Sequence, residues 1–129
     1  MKILSPKVHG YLDYGVVALL FLAPTLFHFE GTPAKLSYVL GAMQLLMSLA
    51  TAYPLGAAKV IPFPTHGGVE VAVTALLIAA PWLFQFASMT NARNFFVASG
   101  VALGLVWLIT DYQAAESGVR MRSRRHMRA

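Results

Sequence analysis

The sequence predicts an all-α membrane protein, a four-transmembrane-helix bundle made of two tandem, parallel helical hairpins. Three observations carry that prediction. Hydrophobic residues make up 57% of the 129 positions and charged residues 12%, about half the roughly 25% charge of soluble domains. Too little charge remains to coat a water-exposed globule, and mean hydropathy is +0.62. Four apolar segments, each near the ~20 residues a helix needs to cross a bilayer, occupy most of the chain. One of those segments occurs twice.

The first span is expected over 9–29. It opens His9-Gly10-Tyr11-Leu12-Asp13 and closes Ala23-Pro24-Thr25-Leu26-Phe27-His28-Phe29. The third is expected over 66–87, opening His66-Gly67-Gly68-Val69-Glu70 and closing Ala80-Pro81-Trp82-Leu83-Phe84-Gln85-Phe86. Aligned without gaps, about half the positions of the two segments are identical, which is the signature of an internal repeat. A secretory signal peptide does not fit the first segment. Asp13 and His9 precede its apolar run, and its near copy sits in mid-chain. The second and fourth spans, 34–53 and 94–112, align more weakly through Gly41 with Gly100, Thr51 with Thr110 and Tyr53 with Tyr112. All four are read as helices, because backbone polar groups cannot stay unpaired in hydrocarbon. The apolar runs also lack the alternation of a β-barrel strand. Pro24 and Pro81 each remove a backbone donor late in a span and predict a kink or end there, leaving Leu-Phe-x-Phe and Trp82 for an interfacial aromatic belt. The expected organisation is a transmembrane domain over 1–113, with repeats at 8–56 and 65–113, and a basic cytoplasmic tail over 114–129.

The charge pattern sets an orientation. The face holding both termini and the middle loop carries Lys2, Lys7, Lys59 and the tail residues Arg120, Arg122, Arg124, Arg125 and Arg128, against Lys35 and Arg93 on the other. The positive-inside rule then predicts cytoplasmic termini. A net charge of +5 concentrated in a tail reads as a contact for anionic lipid headgroups rather than for nucleic acid. With no cysteine, disulfides, thiolate metal sites and cysteine nucleophiles are excluded. No phosphate loop, Ser/His/Asp arrangement or HExxH motif is present.

Two spans separate the copies, so both hairpins insert with the same polarity about a pseudo-two-fold axis along the membrane normal. That symmetry gathers a polar cluster at the cytoplasmic end: His9, Asp13, His66, Glu70, Tyr53, Asp111 and Tyr112, with Thr51 and Thr110 beside them and Tyr11 and Tyr14 near. Each carboxylate lies four residues after its histidine, on the same helical side. Such a layer can lock the hairpins by hydrogen bonds. It can bind a divalent metal through His9, Asp13, His66 and Glu70, since imidazole with carboxylate suits Zn, Fe or Mn. It can also handle protons or a small polar solute, or seat a haem between the two histidines, although no haem motif is present. Gly41 and the Gly100-xxx-Gly104 pattern predict close helix packing, within the bundle or between copies. Gln44 and Ser48 are expected to form interhelical hydrogen bonds, and His28 to be solvated.

The small residue and proline before Trp82, followed by Leu83-Phe84-Gln85-Phe86, resemble the SPW-repeat bacterial membrane proteins. The name-giving Ser-Pro-Trp reads Ala23-Pro24-Thr25 in one copy and Ala80-Pro81-Trp82 in the other. His9-Gly10-Tyr11-Leu12-Asp13-Tyr14 and Lys59-Val60-Ile61-Pro62-Phe63-Pro64-Thr65-His66 are similar to small four-span proteins grouped with them, and the likeness covers roughly 5–113. It implies a bacterial inner-membrane location and no catalytic assignment. The function expected is non-enzymatic: a structural or accessory subunit packing against itself or a larger membrane complex. The alternative is metal- or proton-linked binding or transport through the His/carboxylate cluster.

Overall fold

The computed structural model describes residues 2–112. It contains four helices, α1 (Pro6–Leu26), α2 (Thr32–Ala50), α3 (Phe63–Leu83) and α4 (Thr90–Ile109). The five tail arginines lie outside the described residues. α1 packs along α2 and α3 along α4, and backbone contact between the two hairpins is much slighter. α1, α3 and α4 are each long and apolar enough to cross a membrane. The polarity of the bundle is reversed relative to a water-soluble one. His9, Asp13, Ser37, Gln44, Ser48, His66, Glu70 and Thr110 are buried, whereas Leu22, Val39, Leu46, Leu105 and Leu108 are exposed. Lipid, not water, suits that surface.

The helices begin and end about three residues before the spans read from hydropathy, for local reasons. At the start of α1, Ser5 is the N-cap, its hydroxyl accepting from Val8 N–H at 3.3 Å, and Pro6 takes the first helical position where no N–H is needed. At the far end, Pro24 and Pro81 do not break their helices, which continue to Leu26 and Leu83. The prolines instead belong to a C-terminal closure. Phe29 N–H donates to Pro24 O at 3.0 Å and Phe86 N–H to Pro81 O at 2.7 Å. Between each pair sits a residue with positive φ, His28 at 53° and Gln85 at 60°. This six-to-one bond over a left-handed residue is a Schellman motif. It turns Phe29 and Phe86 inward, where they are 4% and 3% exposed. Only Phe27, Trp82 and Phe84 of these aromatics stay on the surface. His28 is exposed, as expected. Because Pro24 has no N–H, the carbonyl of Leu20 loses its helical partner, and Ser37 Oγ of α2 donates to it at 2.6 Å.

The inward phenylalanines meet Phe95 and Phe96 of α4. Phe96 is fully buried, with ring centroids 5.0 Å from Phe86 and 5.6 Å from Phe95, both edge-on. This aromatic core closes the end opposite the polar cluster. Within each hairpin a glycine sets the helix separation. A Cβ on Gly41 would lie 3.2 Å from Leu20 Cβ, and one on Gly100 would lie 2.7 Å from Ile78 Cγ1 and 3.1 Å from Leu77 Cβ. Gly104 faces Thr74. The Gly100-xxx-Gly104 stripe is therefore used between α4 and α3. Gly100→Ala is expected to force α4 off α3 and cost about 1–3 kcal/mol, as overpacked sites do. Gly15→Ala, where nothing lies within 4 Å, should be neutral or mildly stabilising. Denaturation midpoints of the two variants in detergent check this.

The repeat also appears in the links between helices. The segment before α1 lies on the end of α4, with Leu4 N–H donating to Ile109 O at 2.8 Å and Asp111 N–H to Leu4 O at 2.9 Å. The segment before α3 lies likewise on the end of α2, with Ile61 N–H donating to Ala50 O at 2.8 Å and Ala52 N–H to Ile61 O at 2.7 Å. Leu4 with Thr110, and Ile61 with Thr51, form matching isolated parallel bridges. Each bridge holds a threonine where a histidine can reach it.

Candidate metal centre

His9 and His66 stand in the first turns of α1 and α3, and Asp13 and Glu70 one turn further in. All four are at most 1% exposed, and the two imidazole centroids are 5.6 Å apart. The matched histidines thus share one depth. A glycine follows each histidine, and its missing side chain makes room for a tyrosine. A Cβ on Gly10 would come within 3.1 Å of the Tyr53 ring, and one on Gly67 within 2.8 Å of the Tyr112 ring. Those tyrosines bond the carboxylates: Tyr53 Oη–H donates to Asp13 Oδ2 at 3.1 Å and Tyr112 Oη–H to Glu70 Oε2 at 2.5 Å. Both tyrosines lie beyond the helix ends. Burial, with the adjoining carboxylate, holds each phenol above its ordinary range, so both remain donors.

The threonines fix the imidazole tautomers. Thr110 Oγ1 donates its only proton to Val106 O at 2.6 Å, so toward His9 Nδ1, 2.8 Å away, it can only accept. Thr51 Oγ1 donates to Met47 O at 2.6 Å and accepts from His66 Nδ1 at 2.7 Å. Each histidine therefore carries its proton on Nδ1 and turns Nε2 toward the carboxylates. The pairing crosses between hairpins: Thr51 of the first holds His66 of the second, and Thr110 of the second holds His9 of the first.

His9 Nε2 lies 3.2 Å from Asp13 Oδ1 and 3.0 Å from Glu70 Oε1; His66 Nε2 lies 3.1 Å from Asp13 Oδ2 and 3.9 Å from Glu70 Oε1. His66 Nε2, fully enclosed, makes no aligned hydrogen bond among the described residues. One donor atom from each of the four residues lies within 4.8 Å of the others. A tetrahedron with zinc-like bonds of ~2.0–2.2 Å has edges of about 3.3–3.6 Å, so these separations bracket those of a coordinated ion. Two carboxylates facing two bare Nε2 lone pairs repel. The arrangement holds together either around a divalent cation or with protons shared between the imidazoles and the carboxylates, as the 3.0 Å His9 Nε2–Glu70 Oε1 contact allows. Carboxylate oxygens 3.0–3.2 Å from the Nε2 atoms occupy the space that a haem between the two rings would need.

Asp111 is not among the four clustered donor residues; its backbone joins the bridge to Leu4. Tyr11 is 59% exposed, and Tyr14 Oη–H donates to Leu55 O at 2.8 Å rather than to a carboxylate. Phe63, only 1% exposed, caps the cluster, with its ring 5.2 Å from His9 and 4.6 Å from Tyr112. Sequence reasoning did not single Phe63 out, since it has no polar group and its repeat mate is Pro6. Gly10 and Gly67 were visible as repeated letters, but their use becomes plain only from the tyrosines packed on them.

Apolar helices around a fully buried His/carboxylate core define a membrane-embedded α-helical protein with a polar centre at one end. Residues 7–112 match the SPW repeat domain, and the chain belongs to that family. No curated protein and no solved structure matches it.

Proposed function

We propose that this chain is a four-span protein of the bacterial inner membrane that clasps one divalent transition-metal ion between its hairpins. The observation carrying the reading is that both Nδ1 protons are committed to threonines, which aims both Nε2 atoms at two carboxylates. Outer partners support it. Ligating histidines ordinarily donate their other N–H to an oxygen and ligating carboxylates are hydrogen-bonded, and Thr51, Thr110, Tyr53 and Tyr112 fill those parts. Two nitrogens and two oxygens suit Zn2+ first, with Fe2+ or Mn2+ as competitors. Protein atoms supply all four positions and burial is complete, the pattern of closed structural sites rather than of catalytic ones with an open position. The ion thus serves a structural, non-enzymatic protein.

α2 joins the spans in this reading, although it is less apolar than the other three helices. Its polar Ser37, Gln44 and Ser48 face inward while Val39, Met43 and Leu46 face out, and 19 residues cover about 28 Å at 1.5 Å each. The positive-inside count supports cytoplasmic termini, with the tail arginines on anionic headgroups. The apolar exterior suits lipid, a second copy or a larger membrane complex.

Metal analysis of the purified protein tests the reading. About one ion per chain is expected, and cobalt substitution should give the intense visible bands of a tetrahedral site. Chelation should lower the thermal midpoint by roughly 10 °C or more, since a ligand bound only to the folded state stabilises it. A chain that retains and takes up no metal, with a midpoint indifferent to chelator, would leave the quartet as imidazolium–carboxylate pairs and remove the metal reading.

A further inference from the structure

Beside the polar centre, between the hairpins, lies a cavity of about 600 Å³. Its lining is almost wholly apolar, running from Asp13 at the polar end to Leu77 and Phe95 deeper in the bundle. Two of its lining residues, Met43 and Leu46 of α2, are 54% and 68% exposed. The volume lies within the ~300–1,000 Å³ of small-molecule sites.

Besides Asp13, two polar residues break the apolar wall, Gln44 of α2 and Ser99 of α4. Gln44 is 7% exposed, lines the cavity, and its Nε2 has no acceptor among the described residues. An unpaired amide N–H inside a membrane bundle is costly. The repeat sharpens the point. By the Gly41–Gly100 alignment, the mate of Gln44 is Leu103, which lines the same cavity. Ser99 of α4 is in turn the mate of Leu40, so neither polar group is repeated across the cavity and an asymmetric guest suits the space.

We propose that the cavity binds one amphiphile with an acyl or isoprenoid chain and a carbonyl oxygen, entering sideways from the bilayer. The carbonyl accepts from Gln44 Nε2, and the chain fills the volume lined by Leu20, Leu77, Phe95 and Leu103. Two natural sources share this chemistry, ester lipids and long-chain quinones. The site does not use the metal, so it stands or falls separately from the clasp.

Native mass spectrometry of the full chain tests it. The purified protein should carry a bound adduct whose mass identifies the source. After delipidation, a decyl-benzoquinone or a monoacyl phosphatidylglycerol should restore the adduct, and the one that binds names the class. Gln44→Leu, which copies the second hairpin, should weaken that binding at least tenfold and leave metal content unchanged. Ala102→Phe, which fills the cavity from α4, should exclude the adduct without touching Gln44. A wild-type chain that neither carries nor takes up either compound overturns the proposal, as does a Gln44→Leu chain that binds as tightly as wild type.

Discussion

Replacing His66 with alanine is expected to abolish metal binding and to destabilise the fold by about 3–5 kcal/mol, the usual cost of removing one partner from a buried charged cluster. The loss is compound. Asp13 Oδ2 loses its 3.1 Å neighbour and keeps Tyr53, while His9 stays on Oδ1. Thr51 Oγ1 loses the donor it accepts from. A cavity opens beneath Phe63, whose ring lies 5.8 Å from that of His66. Glu70→Gln is the companion variant. It keeps volume but presents His9 Nε2 with an amide in place of a carboxylate, so metal content should fall while stability falls less. Thermal midpoints in detergent, read with metal stoichiometry, check both. Unchanged midpoints in the two variants would mean that this layer does not join the hairpins.

Phe96→Ala should cost a similar amount, about 3–5 kcal/mol, by a different route and with a different readout. Phe96 is fully buried against Phe29, Phe86 and Phe95, so truncation leaves a void that α4 and the two links α1–α2 and α3–α4 would have to collapse to fill. It lies roughly 25 Å along the helices from the histidines, at 1.5 Å per residue. Distant sites are additive, so the midpoint should drop while metal content stays that of wild type. Loss of metal from Phe96→Ala would show that the two ends of the bundle are coupled through the helices. The His66 and Phe96 results together separate a failed site from a failed fold.

The gross architecture was legible because duplication doubles every signal. Two His-Gly openings and two Ala-Pro closures, in the same order with two spans between the copies, leave only a parallel pair of hairpins. The cluster followed from that symmetry without any contact being known. Helix ends were misplaced for a physical reason. Hydropathy does not register a Schellman closure, and Phe29 and Phe86 are as apolar as the helix they terminate. The prolines marked the helix ends to within two residues, but not how those ends are closed. Pro24 costs the helix one bond, but Ser37 of the neighbouring helix supplies another to Leu20 O, a compensation that no window on one segment can reveal. Gln44 and Ser48 are buried, but the interhelical hydrogen bonds expected of them are not made: Gln44 Nε2 and Ser48 Oγ have no partner among the described residues, because pairing depends on what faces the helix. Asp111 shares a face with the cluster in sequence, but the bridge to Leu4 governs its backbone. Thr51 and Thr110 were expected beside the cluster, but not as the groups that set the tautomers. Their chemistry rests on the helical carbonyls of Met47 and Val106, four residues back.

The crossed threonine–histidine pairing has a consequence for assembly. One hairpin alone owns a single imidazole and a single carboxylate, and the hydroxyl that orients its imidazole belongs to its twin. Half of this chain could complete the arrangement only by meeting another half in the bilayer, at a rate and yield set by how many copies are present. Tethering the twins through residues 51–62 replaces that encounter with an internal one of fixed effective concentration. The joined molecule can therefore form its centre at one copy per membrane as readily as at thousands.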